Sequence, residues 1–251
     1  IAEHYPGAHV LLRIKVGNEG SMVNLSLKFG ADPENAYLIL RKARSLGLVP
    51  AGLSFHVGSQ SKNVENYLQA LEISAHIFDE AKENDVPLRI MDIGGGFPIQ
   101  HFDDEIGVNF ERTASEIRKQ IRRLFDKKAQ FIAEPGRFLV GPAGILVTQV
   151  TGRAFRSNKN YYYLNDGVYG DFSGMVFDHC KYEFKTLRRG QTFLSALAGP
   201  TCDSFDTLSL DVEIPELYVG DVVYVKNIGA YSSASAVANF NGFAPAKIVM
   251  V

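Results

Sequence analysis

The sequence predicts an α/β chain in which residues 1–140 form the C-terminal half of a (β/α)8 barrel and residues 141–251 form a β-rich domain. Three observations lead there. Short apolar runs of strand type alternate with amphipathic helical stretches through the first half, which is the pattern of parallel βαβ units. Beyond Gly136 the helical periodicity fades, and strands follow one another across Gly, Pro and Asn turns. Finally, about four parallel strands are visible, too few to close a barrel, which by itself takes about 250 residues. An open half would leave two apolar edges, so the earlier strands are expected to lie outside this sequence.

The elements follow in order. Val10–Lys15 is a short apolar strand, and Asn24–Phe29 alternates polar and apolar residues as a second. Asp32-Pro33-Glu34 is a helix start, with Asp as cap and Pro in the first turn; the helix runs to about Leu46, where Gly47 and Pro50 close it. Ala51–Phe55 is the next strand. Tyr67, Leu68, Leu71, Ile73, Ile77, Phe78 and Ala81 make the apolar stripe of a helix over Asn63–Glu83. Leu88–Ile93 is a strand, Phe110–Phe125 an Arg-rich amphipathic helix, and Gln130–Glu134 another strand. These strands are apolar throughout, as expected where both sheet faces are covered. In the second half Gly144–Phe155, Asn160–Tyr169, Thr192–Ala198 and Asp221–Lys226 read as strands.

Composition narrows the function classes. The chain has 251 residues, with 26 Lys plus Arg against 28 Asp plus Glu, a formal charge of −2. That balance offers nothing to nucleic acid or an anionic membrane. Hydrophobic residues at 46 % exclude a disordered chain, and no apolar run reaches the roughly 18 residues of a membrane span. Two cysteines, Cys180 and Cys202, make no disulfide framework and fit a reducing, cytoplasmic setting. Ile1-Ala2-Glu3-His4 is neither a signal peptide nor a natural start, so the chain is expected to be part of a longer protein.

The chemistry-bearing residues gather just after the strands, at the carboxyl ends where α/β folds place their sites. Asp92-Ile93-Gly94-Gly95-Gly96-Phe97-Pro98 offers backbone amides to an anion, although a tight barrel turn also needs glycine. Glu134-Pro135-Gly136-Arg137 sets a carboxylate at a strand end beside a second Gly-Arg anion contact, against the plainer reading of a surface salt bridge. Two such loops side by side favour a phosphorylated ligand. Ser54–Gln60 brings His56 and the Ser59 hydroxyl to the same face. Gly199–Asp206 sets the Cys202 thiol among carboxylates, and Gly229-Ala230-Tyr231 ends a further strand.

In this order, FHVGSQ, DIGGGFP, EPGRF, GPTCDSFD and GAYSS resemble the fold-type III, alanine-racemase-like pyridoxal-phosphate decarboxylases, in particular the bacterial ornithine/lysine branch. YLNDGVYG with Phe177-Asp178-His179, and Phe240-Asn241-Gly242-Phe243, extend the resemblance over essentially the whole chain. The resemblance implies pyridoxal 5′-phosphate as cofactor and no metal. It assigns the cofactor phosphate to Gly96, Gly136 and Arg137 with Ser59 and Tyr231, and places Pro135 among the cofactor-binding residues. Glu134 would face the pyridine nitrogen, His56 would stack on the ring, and Arg13 would lie near it. Asp178 and Asp203, with Phe177 beside them, would receive the distal ammonium of a diamino acid, and Cys202 would protonate the carbon that loses CO₂. It further implies a homodimer in which the Cys202–Asp203 loop enters the partner's site.

One departure is plain. The family's Schiff-base lysine lies on an early barrel strand in a motif like Tyr-Ala-Val-Lys, which is absent here; Lys15 and Lys28 lie on predicted strands but do not match it. The missing lysine agrees with the missing half barrel. The implied reaction is decarboxylation of L-ornithine or L-lysine to putrescine or cadaverine in polyamine biosynthesis. Asp after Cys202 favours these over diaminopimelate, whose decarboxylases carry Glu there. The alternatives are a non-catalytic homologue like the antizyme inhibitors, or a carboxynorspermidine, diaminopimelate or arginine decarboxylase of the same fold.

Overall fold

The computed structural model describes all 251 residues except 24, 25, 27 and 104–106. It contains two compact units: Ile1–Pro98 with Gly107–Phe138, and Ile99–Ile106 with Leu139–Val251.

In the first unit β1 (His9–Arg13), β2 (Val49–Ser54), β3 (Ile90–Asp92) and β4 (Gln130–Ile132) form one parallel sheet in sequence order. Each crossover carries a helix: α1 (Ala36–Ser45), α2 (Glu65–Glu83) and α3 (Phe110–Leu124). A parallel neighbour can be reached only by such a return, so every strand ends at the same edge of the sheet. The core lies between sheet and helices, where Leu53 of β2 and Met91 of β3 are fully buried with Tyr67 and Leu71 of α2. Along α2 the buried Tyr67, Ala70, Leu71, Ser74, Ile77 and Ala81 recur at three- and four-residue spacing, which is why this stretch is helical. Asn109 caps α3, its side chain accepting the Arg112 amide at 3.0 Å.

Several expectations need adjusting here. The Asp32 side chain makes no cap bond; a short 3₁₀ turn over Pro33–Asn35 leads into α1 instead. Buried strand residues concentrate on β2 and β3, whereas β1 and β4, at the sheet's edges, are half-exposed. The strand expected over 24–29 falls partly on residues 24, 25 and 27, which lie outside the described residues; Ser26, Lys28 and Phe29 belong to turns. Neither lysine lies within a strand: Lys15 follows β1 and sits 3.9 Å from Asp32, and Lys28 lies over the Phe29 ring.

A short helix, α4 (Gly136–Val140), follows the turn after β4. The second unit is built on β5 (Ile145–Arg156), β6 (Lys159–Leu164), β7 (Lys185–Thr186), β8 (Thr192–Ala198), β9 (Thr207–Pro215) and β10 (Val222–Lys226), with the short helix α5 (Gly174–Phe177) between β6 and β7. The sheet order is β7-β10-β5-β6-β8-β9, antiparallel except where β6 meets β8. Along β5, Leu146, Thr148 and Val150 point inward while Ile145, Val147 and Gln149 point to solvent. Ser157 and Asn158 both take positive φ, the two-residue turn whose twist suits a tight hairpin between β5 and β6. The strand expected over Asn160–Tyr169 stops at Leu164, because the Asp166 carboxylate accepts the amides of Gly167 and Asp171 and folds the chain into a turn. Among the described residues no helix is long and apolar enough to cross a membrane.

Candidate active site

The four strand ends of the first unit bring together most of the cofactor-binding candidates. Arg13 closes β1, His56 follows β2, Gly94–Gly96 follow β3, and Glu134–Arg137 follow β4, on four neighbouring strands of one sheet edge. The loops are stitched to one another: the Ser61 amide donates to the Gly96 carbonyl at 2.8 Å, and the Glu134 amide to the Gly94 carbonyl at 2.8 Å.

The three glycines are demanded by this packing before any ligand is considered. Gly94 and Gly96 take φ of +64° and +97°, and a Cβ on Gly96 would stand 2.2 Å from the Gly58 carbonyl oxygen. The Gly94 amide is already spent on the buried Asp92 carboxylate, at 2.9 Å. The amides of Gly95 and Gly96 have no protein acceptor among the described residues, and Gly95 is buried. An unsatisfied N–H there calls for an acceptor from outside the chain. Arg137, on α4 just after β4, is 6 % exposed and carries a fixed positive charge. Half-buried Ser59 pairs through its backbone with Val23, and its hydroxyl makes no hydrogen bond among the described residues. This donor set suits a phosphate.

His56 is held by its own loop, its Nδ1 accepting the Gly58 amide at 3.0 Å. Burial and then the Arg13 charge lower its pKa, against a smaller upward pull from Asp92. It is therefore a neutral imidazole at neutral pH. Arg13 itself rests over the Phe29 ring, 5.3 Å from guanidinium carbon to centroid. Glu134 is exposed at its strand end, and the Gly136 amide donates to the Glu134 carbonyl at 2.8 Å.

One contributor was hidden in a helix. Tyr67 reads from sequence as one more apolar residue of the α2 stripe, yet its hydroxyl donates to the Gly95 carbonyl at 2.8 Å and its ring stacks on Phe97 at 5.2 Å. Burial pushes its phenol pKa up, so it stays a donor and braces the glycine loop from below.

Phe177, Asp178, Cys202, Asp203 and Tyr231 lie in the second unit. Exposed Cys202 donates through Sγ to Asn241 Oδ1 at 3.6 Å. Asp203 accepts the Tyr169 hydroxyl on Oδ2 and the Phe205 amide on Oδ1, and these bonds hold its carboxyl below the usual range. Asp206, expected as a second carboxylate near the thiol, has another task. It is 2 % exposed and accepts the amides of Val168 and Thr201 and the Thr201 hydroxyl, tying its loop to the turn after β6. Phe177 ends α5 and is 58 % exposed, and Asp178 is the C-cap residue of that helix. Tyr231 takes φ +55°, its carbonyl accepting the Ser235 hydroxyl at 2.7 Å.

Comparison with known proteins adds what geometry alone does not name. The profile of the family described as "Pyridoxal-dependent decarboxylase, pyridoxal binding domain" matches residues 1–141. A lysine/ornithine decarboxylase from Selenomonas ruminantium is 43 % identical over 97 % of this chain and 61 % of its own length. A crystal structure of a lysine/ornithine decarboxylase from Vibrio vulnificus, complexed with cadaverine, superimposes with a TM-score of 0.84 at 36 % identity, over 95 % of this chain and 61 % of that one. Antizyme inhibitor 2 from Xenopus laevis is 35 % identical over 97 % of this chain and 56 % of its own length. The chain thus spans about three fifths of the length of these relatives.

Proposed function

The chain belongs to the pyridoxal-dependent decarboxylase family, and we propose that it forms part of an enzyme that decarboxylates L-ornithine, L-lysine or both, giving putrescine or cadaverine. The observation that carries this reading is the alignment of Arg13, His56, the Gly95 and Gly96 amides, Glu134 and Arg137 on four consecutive parallel strand ends. The free amides, the buried guanidinium and the neutral imidazole fit a phosphorylated aromatic cofactor. When bound, pyridoxal 5′-phosphate supplies a ring that takes up the electron pair left by departing CO₂.

This chain's residues would do the rest. Arg137 and the Gly95 and Gly96 amides hold the phosphate, with Ser59 and Tyr231 as further contacts suggested by the family motif; the Gly136 amide, which the motif also includes, donates to the Glu134 carbonyl instead. Glu134 keeps a proton on the pyridine nitrogen. His56, held neutral, packs on the ring without placing a second positive charge against it. Asp203 and Asp178 receive the distal ammonium, and Cys202 gives its proton to the carbon that loses CO₂. In this reading the Cys202–Asp203 loop serves the site of a partner protomer in a homodimer.

Measuring CO₂ release by the full-length protein from ornithine, lysine, arginine and diaminopimelate, with pyridoxal 5′-phosphate present, tests the proposal. Release from ornithine or lysine with matching diamine supports it. Release only from arginine or diaminopimelate, or none at all with the fold intact, rejects it; the last outcome is the behaviour of a non-catalytic homologue.

A further inference from the structure

We infer that Tyr169 is a positioning residue for recognition of the substrate's distal ammonium: its hydroxyl fixes the Asp203 carboxylate, and the Phe240–Gly242 turn holds both Tyr169 and the neighbouring Cys202. The inference deepens the proposed function and rests on its reading of Asp203 as the ammonium acceptor.

The second unit supplies the geometry. Tyr169 donates to Asp203 Oδ2 while the Phe205 amide donates to Oδ1 at 3.0 Å. A carboxylate has about four lone-pair sites, so these two bonds aim Asp203 and leave capacity for an incoming ammonium. Asp206 is the contrast, buried and committed to three donors of its own surroundings.

What aims Tyr169 is an aromatic stack. Its ring lies 4.0 Å from that of Phe240, with an interplanar angle of 21°. The next residue, Asn241, takes φ +49° and accepts the Cys202 thiol. A single turn therefore braces both halves of the Cys202–Asp203 pair, the thiol through an amide and the carboxylate through a phenol.

The charges around the contact are consistent with this arrangement. Among the described residues, the titratable groups acting on the Tyr169–Asp203 contact are Cys202 and Asp206. The bond to Asp203 raises the Tyr169 pKa, so the phenol remains a donor, and the same bond is the largest cause of the lowered Asp203 pKa. Asp203 thus stays anionic into mildly acidic solution, as a partner for an ammonium must.

The test uses the full-length protein with Tyr169→Phe, which keeps the stack and removes only the hydroxyl. Calorimetric binding of putrescine from pH 4 to 8 reads the effect whether or not CO₂ is released. Affinity is expected to fall about threefold to tenfold, with the acid limb of binding moving to higher pH as Asp203 loses its donor. In the decarboxylation assay KM should rise by the same factor with kcat little changed. Phe240→Leu, which loosens the ring but spares the hydroxyl, should shift binding in the same direction by less. Wild-type affinity and an unmoved acid limb in both variants would overturn the inference. Absence of CO₂ release alongside a Tyr169-dependent diamine affinity would instead reject the proposed reaction and leave the positioning role standing.

Discussion

Replacing Gly95 by alanine isolates the packing on which the strand-end cluster depends. Its φ is not in the left-handed region, so alanine there adds bulk without backbone strain. The new Cβ would lie 2.5 Å from the Glu134 carbonyl oxygen and 3.3 Å from His56 Nε2. Ordinary contact begins at 3.4 Å, so the ends of β3 and β4 must part by about 0.9 Å. Overpacking of this kind costs about 1–3 kcal/mol. A displacement of about 1 Å at a reacting centre can cost about a hundredfold in rate. Gly47→Ala is the matched control: Gly47 has φ +81° but open space around it, so alanine there meets only the backbone cost, about 1 kcal/mol. Steady-state turnover and urea denaturation of both full-length variants should therefore separate. Gly95→Ala loses about a hundredfold in turnover, while Gly47→Ala loses stability alone. Equal turnover in the two would refute the reasoning that close strand packing sets the site geometry.

Other expectations follow from the same contacts. Arg137→Ala should release pyridoxal 5′-phosphate on dialysis, read by its absorbance, and unchanged cofactor content would remove Arg137 from the phosphate site. Glu134→Ala should cut decarboxylation severely without abolishing cofactor binding, and a near-wild-type rate would dismiss its role at the ring nitrogen. Cys202→Ala should slow turnover and raise the share of misplaced protonation, seen as aldehyde in place of diamine; normal amine yield would acquit the thiol. Burial, with the Asp171 charge second, pushes the Asp166 pKa up to about 7. The folded chain then holds a proton that the unfolded chain gives up near pH 4, so this group's contribution to stability falls as pH rises from about 4 to about 7. Asp166→Asn should flatten that fall in denaturation series across the range, and an unchanged pH profile would contradict the assignment.

Much of the fold was legible because apolar runs and helical stripes in the first half are long and obey one period at a time. The residues of α2 repeat at helical spacing over five turns, and β2 is a short apolar run closed by His56. The second half was harder to read. In β9, Asp211 and Glu213 face solvent on a strand that follows the Cys202 loop, and their charges mask the alternation of Leu208, Val212 and Ile214. Helices as short as α4 and α5 show no periodicity to find. Nothing in the local pattern of Gln100 or Asp103 discloses their partners, the Asn227 amide and Lys185, since both contacts cross about 80 or more residues. The candidate site was readable at strand ends, where chemistry stands out against an apolar run. Tyr67 and Tyr169 stayed hidden because a buried tyrosine and a packed one look alike until the hydroxyl's partner is seen. Asp206 shows the opposite case: it lies four residues from the thiol, yet three donors of its own unit occupy its carboxylate.

The most direct measurement is a crystal structure of the full-length protein grown with pyridoxal 5′-phosphate. The phosphate is expected against the Gly95 and Gly96 amides and the Arg137 guanidinium, with the His56 ring on a face of the pyridine. A cofactor bound elsewhere, or those two amides capped by protein side chains, would contradict it.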